Sequence, residues 1–185
     1  MDLLASLLAL GQLTHLPRTG WIQAGVAVPE SVAGHVLGAC HLALGVAGRV
    51  QPPLDLAQVL ALILVHDAPE ALSGDLPRQA SAALPEGAKQ AMEQTLAHDL
   101  LAPFPGEARD AWAAWCAQET REARFAKLCD RIQMGLRCVQ LRRSGQGGLD
   151  SFWLGLGQLD ASEFPPLESL LQEILAQGPQ KPPTV

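Results

Sequence analysis

The chain has 185 residues, 48% of them hydrophobic and 17% charged, with a formal net charge of −6. This length and apolar content predict one globular domain with a sizeable core and exclude a disordered chain. Acidity without a basic run excludes a protein that grips a nucleic acid polymer, although a single phosphate needs only a local cation.

In chain order the sequence reads as helices separated by Pro and Gly. The opening MDLLASLLALGQL places leucines at 3, 4, 7, 8 and 10, a helical spacing. Asp2 stands where the basic segment of a signal peptide belongs and no A-x-A-like site follows, so an amphipathic helix is expected. Pro17 and Gly20 then predict an irregular segment from about His15 to Pro29. Glu30 to Gly48 is expected as a buried helix opening near Pro29 or Ser31. Asp55 to Asp67 forms a second apolar helix. Pro69 ends or kinks it near His66 and Asp67, because proline lacks a backbone N–H and disfavours helical geometry just before it.

Gly74 to Pro77 reads as a turn and Gly87 to Leu101 as a third helix. A long helical stretch follows from Glu107 to about Arg143, with room for one break. SGQGG at 144–148 is a loop, and Leu167 to Ala176 a last helix after Pro165 and Pro166. Residues 1–178 are expected as one domain and 179–185 as a disordered tail. Without tyrosine or alternating β-branched segments, the expected class is all-α. No apolar run reaches the roughly 18 residues of a membrane span, so no membrane association is expected. Cys40, Cys116, Cys129 and Cys138 form no CxxC pair and read as reduced core thiols of a cytoplasmic protein.

One stretch concentrates chemistry. LVHDAPEALSGDLPR, residues 64–78, sets His66, Asp67, Glu70 and Asp75 beside an apolar run. Burying such charge is costly unless something pairs with it, and a cation would. Adjacent residues on a perfect helix point about 100° apart, but a helix ending at Pro69 lets His66 and Asp67 converge. Glu70 lies four residues after His66, on the same side if the helix continues.

Further ligands must come from elsewhere. His35, among small and apolar residues, is either a core histidine with one hydrogen bond or a ligand. Asp130 avoids the basic stripe of Arg124, Lys127, Arg131 and Arg142 and lies in line with Met134 and Leu141. It either pairs with Arg137 or another nearby arginine, or serves as a ligand. The dipeptide recurs as His98-Asp99, without a carboxylate three residues on, and is expected at the surface.

The ordered set His35, His66-Asp67 and Asp130, with HDxxExxxGD, resembles the signature of the HD-domain phosphohydrolases. PRTGW at 17–21, PESVAGH at 29–35 and REARFAKLCDRIQM at 121–134 are similar to segments of the 5′-deoxynucleotidase-like branch. The likeness runs over roughly residues 3 to 176.

The resemblance implies an all-helical HD fold, a homodimer, and one divalent ion held by His35, His66, Asp67 and Asp130. Such a mixed set suits Mn²⁺, Co²⁺, Fe²⁺, Zn²⁺ or Mg²⁺. It implies catalysis by Glu70, as general acid and base, with Asp67. It places Arg18 on a phosphate, and Trp21 and Asp75 on the sugar or nucleoside of a small nucleotide. Gly34 stands where the family usually has an acidic residue, which implies looser support for His35. A branch acting on cyclic dinucleotides carries a GYP element, and a chain without tyrosine does not match it. Other phosphorylated substrates, or metal and nucleotide binding without turnover, are the alternatives.

Overall fold

The computed structural model describes residues 1–179, and these form helices without any extended strand. Most of the tail expected from residue 179 onward lies outside the described residues. The helices are α1 (Leu3–Gly11), α2 (Thr19–Gln23), α3 (Val32–Val46), α4 (Leu56–Val65), α5 (Glu70–Ser73) and α6 (Arg78–Ala83). They continue with α7 (Ala88–Leu101), α8 (Gly106–Ala117), α9 (Arg121–Arg143), α10 (Asp150–Leu156) and α11 (Pro165–Ala176). Local signals set several boundaries. Ser31, Asp55 and Thr120 each accept a backbone N–H with their side chains at the starts of α3, α4 and α9. Gln118, in the left-handed region at φ 55°, makes the single break between α8 and α9.

α9 is the axis of the bundle. It packs against α3, α4, α8, α10 and α11. Phe125, Ala126, Cys129, Ile132 and Cys138 are wholly enclosed along it, and Phe125 meets Phe164 edge to face at 5.2 Å. Leu62 and Ile63 of α4 and Ala39 and Ala43 of α3 fill the opposite side. Each large side chain so enclosed stabilises the fold by roughly 1.5–3 kcal/mol. The small residues of α3 let it lie close to α9, which brings their polar side chains together inside the core.

Three places depart from the sequence expectations. α2 interrupts the segment expected to be irregular. Its first N–H, on Thr19, donates to Asp75 Oδ2 at 2.5 Å, a cap supplied 56 residues away that no local pattern reveals. α1 forms where a helix was expected, but it buries only Ser6 and leaves Leu3, Leu4, Leu7 and Leu8 exposed, so its apolar residues do not join the core. The stretch Leu56–Ser73 has the length and apolarity of a membrane span. It is nevertheless two helices joined by a turn, with Leu62 and Ile63 in the protein core.

Candidate metal centre and active site

The turn between α4 and α5 creates the site. α4 ends at Val65, and the backbone then tightens, with Ala68 N–H on the Val65 carbonyl and Glu70 N–H on the Asp67 carbonyl. Pro69, without a donor of its own, sits at φ −58° just before α5. The change of direction turns His66 inward while Asp67 and Glu70 follow on the same wall. Gly74, at φ 78°, then swings the chain so that Asp75 reaches the start of α2. Thr19 Oγ1 donates back to the Asp75 carbonyl at 2.8 Å, fastening the two loops together.

α3 and α9 complete the constellation. His35 Nε2 lies 2.9 Å from Asp130 Oδ1, and His66 Nε2 lies 3.6 Å from the same oxygen. One ligand atom from each of His35, His66 and Asp130 falls within 4.8 Å of the others. Asp67 Oδ2 joins them 3.1 Å from His66 Nε2 and accepts from Arg18 Nη1, also at 3.1 Å. The sequence-predicted ligands from two helices and one turn therefore meet at one point. Asp130 does not pair with Arg137, whose guanidinium donates instead to Val28 O and Gln140.

The donor set fits a divalent cation. His66 Nδ1 donates to the Ile63 carbonyl at 2.6 Å, which leaves Nε2 as the nitrogen that faces the centre. That Nε2 is buried with no well-aligned hydrogen bond, only the close approach of the Asp67 and Asp130 carboxylates, and the buried Glu70 Oε2 has no partner. Buried polar atoms without a well-made hydrogen bond are rare, and two at one centre call for a ligand. The field agrees. Burial works to lower the His66 pKa, and the charges of Asp67 and Asp130 more than reverse it, pushing it up to about 10. Burial raises the Asp130 carboxyl, but hydrogen bonds from His35 and His66 and their charge hold it well below its usual range. Asp67 is likewise lowered despite burial, by His66 and Arg18.

Glu70 behaves in the opposite way. Burial, then the charges of Asp67 and Asp75, push its pKa up to about 9. Arg18 is largely enclosed, with Asp67, Asp75, Asp130 and Glu70 all raising its pKa against burial. Trp21 is 1% exposed, stacks on Phe152 at 4.1 Å and donates its indole N–H to Glu30. It lies behind the site, with no face open to a ligand.

Two groups escaped the sequence reading. Lys127, assigned to the solvated basic stripe, lies 4.4 Å over the Trp115 ring and 3.7 Å from Asp130 Oδ2. Its spacing, one turn before Asp130, was the available signal. Gln133 accepts from or donates to both His35 and Glu30, and nothing in its neighbourhood in the sequence marks it out. Position 34 is exposed beside Ser31 and Glu30, so the packing of His35 does not depend on a side chain there.

Comparison with known proteins follows the same line. An HD domain family profile matches residues 10–150. The 5′-deoxynucleotidase HDDC2 of Bos taurus is 32% identical over 145 residues, covering 75% of this chain and 67% of that protein. The 5′-deoxynucleotidase HDDC2 of Homo sapiens is 31% identical, covering 75% and 68%. The crystal structure of the PH0347 protein of Pyrococcus horikoshii superposes with a TM-score of 0.80 at 26% identity, covering 95% of this chain and all of that one. With the profile spanning most of its length and the His, His-Asp and Asp side chains gathered at one centre, this chain belongs to the HD-domain family.

Proposed function

We propose that the protein is a metal-dependent phosphomonoesterase that converts (deoxy)nucleoside 5′-monophosphates to nucleoside and inorganic phosphate. The observation that carries this reading is the gathering of His35, His66, Asp67 and Asp130 beside a buried, unpartnered Glu70 Oε2, with an enclosed Arg18 paired to Asp67. The names of the HDDC2 relatives support the nucleotide class. His35, His66, Asp67 and Asp130 would hold one divalent ion, with Mn²⁺, Co²⁺, Fe²⁺, Zn²⁺ and Mg²⁺ all suited to these donors. A bound cation supplies a more acidic water and draws charge from the phosphate.

The chain supplies the rest. Arg18 offers a planar fork to non-bridging phosphate oxygens, and its present hold on Asp67 keeps it aimed at the centre. Lys127, seated on Trp115, presents a second cation from the α9 side. Burial and the charges of Asp67 and Asp75 favour a proton on Glu70, which would donate it to the leaving 5′-oxygen and, once ionised, take one back from the water that attacked. Asp75 Oδ2 is spent on Thr19, which leaves its other oxygen for a sugar hydroxyl. Trp21 backs the Arg18 loop through its N–H to the Arg18 carbonyl.

A homodimer in the cytoplasm completes the reading. The exposed leucines of α1 form an apolar surface that a second copy would cover, and the four cysteines are all unpaired. Leu4→Lys with Leu8→Lys should convert a dimer to monomers by light scattering.

The direct test is phosphate release from a panel of nucleoside mono-, di- and triphosphates with Mn²⁺ or Co²⁺. Release from 5′-monophosphates, greatest for deoxy forms, is expected. Release only from triphosphates, or from none while metal binds, would contradict the substrate assignment.

A further inference from the structure

A histidine that binds a metal through Nε2 must carry its proton on Nδ1, and that choice is made by whatever Nδ1 touches. His66 is settled by a backbone carbonyl. His35 is settled by nothing so simple. Its Nδ1 lies 2.5 Å from Gln133 Oε1, and an amide could turn either its oxygen or its nitrogen to the ring.

The ambiguity is removed one residue further on. Glu30 bridges two donors: Oε1 accepts from Trp21 Nε1 at 2.9 Å, and Oε2 accepts from Gln133 Nε2 at 3.1 Å. An indole N–H can only donate, and an ionised carboxylate can only accept. The amide must therefore give its NH₂ to Glu30 and its oxygen to His35. His35 Nδ1 must in turn be the N–H, and Nε2, 2.9 Å from Asp130 Oδ1, is the nitrogen turned to the centre, where a cation would take the place of its proton.

The packing is arranged for this chain of bonds. Gln133 is one turn beyond Asp130 on α9, so one helix supplies both a ligand and the support of another ligand. Gly38 is one turn beyond His35 on α3. A Cβ there would stand 2.8 Å from Gln133 Nε2 and 3.0 Å from its Cγ, so glycine leaves the slot that the amide fills. Trp21, His35 and Gln133 are all buried, which shields these bonds from exchange with water.

We propose that Glu30 and Gln133, anchored by Trp21, are positioning residues that fix the tautomer and ring plane of His35 for metal binding. This inference rests on the metal reading of the site. It supplies the support that the glycine at position 34 does not, and it gives Trp21 a task that needs no contact with substrate.

The test is Mn²⁺ affinity of the full chain, measured by chelator competition, in Gln133→Leu, Glu30→Gln and His66→Ala. Gln133→Leu removes both bonds at nearly constant volume and should weaken Mn²⁺ by about 10–100-fold. Glu30→Gln lets the amide turn over and should weaken it in the same direction by less. In both, kcat at saturating Mn²⁺ should stay within about twofold of wild type, since neither residue touches substrate. In the Zn²⁺-loaded protein, ¹⁵N NMR should show a slowly exchanging His35 Nδ1–H that Gln133→Leu abolishes. His66→Ala should bind no Mn²⁺. If it does not bind and Gln133→Leu binds like wild type, the positioning pair is overturned while the metal site stands. If His66→Ala binds normally, the metal reading falls and this inference with it.

Discussion

The dipeptide His-Asp occurs twice in this chain, and in both copies an imidazole nitrogen lies close to the neighbouring carboxylate. His66 Nε2 and Asp67 Oδ2 are 3.1 Å apart, and His98 Nδ1 and Asp99 Oδ1 are 3.2 Å apart. Their surroundings differ completely. The side chains of His98 and Asp99 are 79% and 61% exposed, on α7, where water screens the pair and it contributes little. Those of His66 and Asp67 are 3% and 13% exposed, at a helix end that turns them toward His35 and Asp130. Chemistry comes from convergence with two other helices in a dry place, where each charge acts on its neighbours more strongly.

The comparison can be broken most severely at its centre. His66→Ala or Asp130→Ala should strip the metal and reduce phosphate release to background, whereas His98→Ala should leave both unchanged; metal content and release assays on the three variants decide it. Glu70→Gln should lower kcat by about 10²–10⁴-fold while the metal stays bound. Retention of full kcat would remove Glu70 from the proton chemistry. Arg18→Ala should cost about 10²–10³-fold in kcat/KM, with free phosphate losing its ability to inhibit.

A smaller effect lies in the stability of the metal-free chain. Glu70 holds a proton up to about pH 9 when folded, against 4.5 ordinarily, and His66 holds one up to about 10, against 6.5. Between those values the folded state binds more protons than the unfolded state, so stability falls as pH rises through the window. Melting temperature should therefore drop by several degrees between pH 5 and 9.5, at roughly 2–4 °C per kcal/mol for a chain of this size. Glu70→Gln should flatten the lower part of that slope. Asp99→Asn should do almost nothing, within about 0.5 kcal/mol at any pH.

The contrast between the two dipeptides also explains how far the sequence could be read. Helix α4 and its end ahead of Pro69 were legible because proline acts locally, and His35 and Asp130 stood out as polar residues on apolar helices. α2 was not legible, because its cap is Asp75, brought from the far side of α5. Lys127 looked like one member of a solvated stripe, since periodicity cannot show that Trp115 of α8 would lie beneath it. Gln133 was invisible for the same reason. Its meaning depends on Glu30 and on a gap at Gly38, both on the other side of the core.

Metal stoichiometry is the measurement closest to the centre of this account. Calorimetric titration with Mn²⁺ should give one ion per chain for wild type and for His98→Ala, and none for His66→Ala. An ion retained by His66→Ala, or lost from His98→Ala, would contradict it.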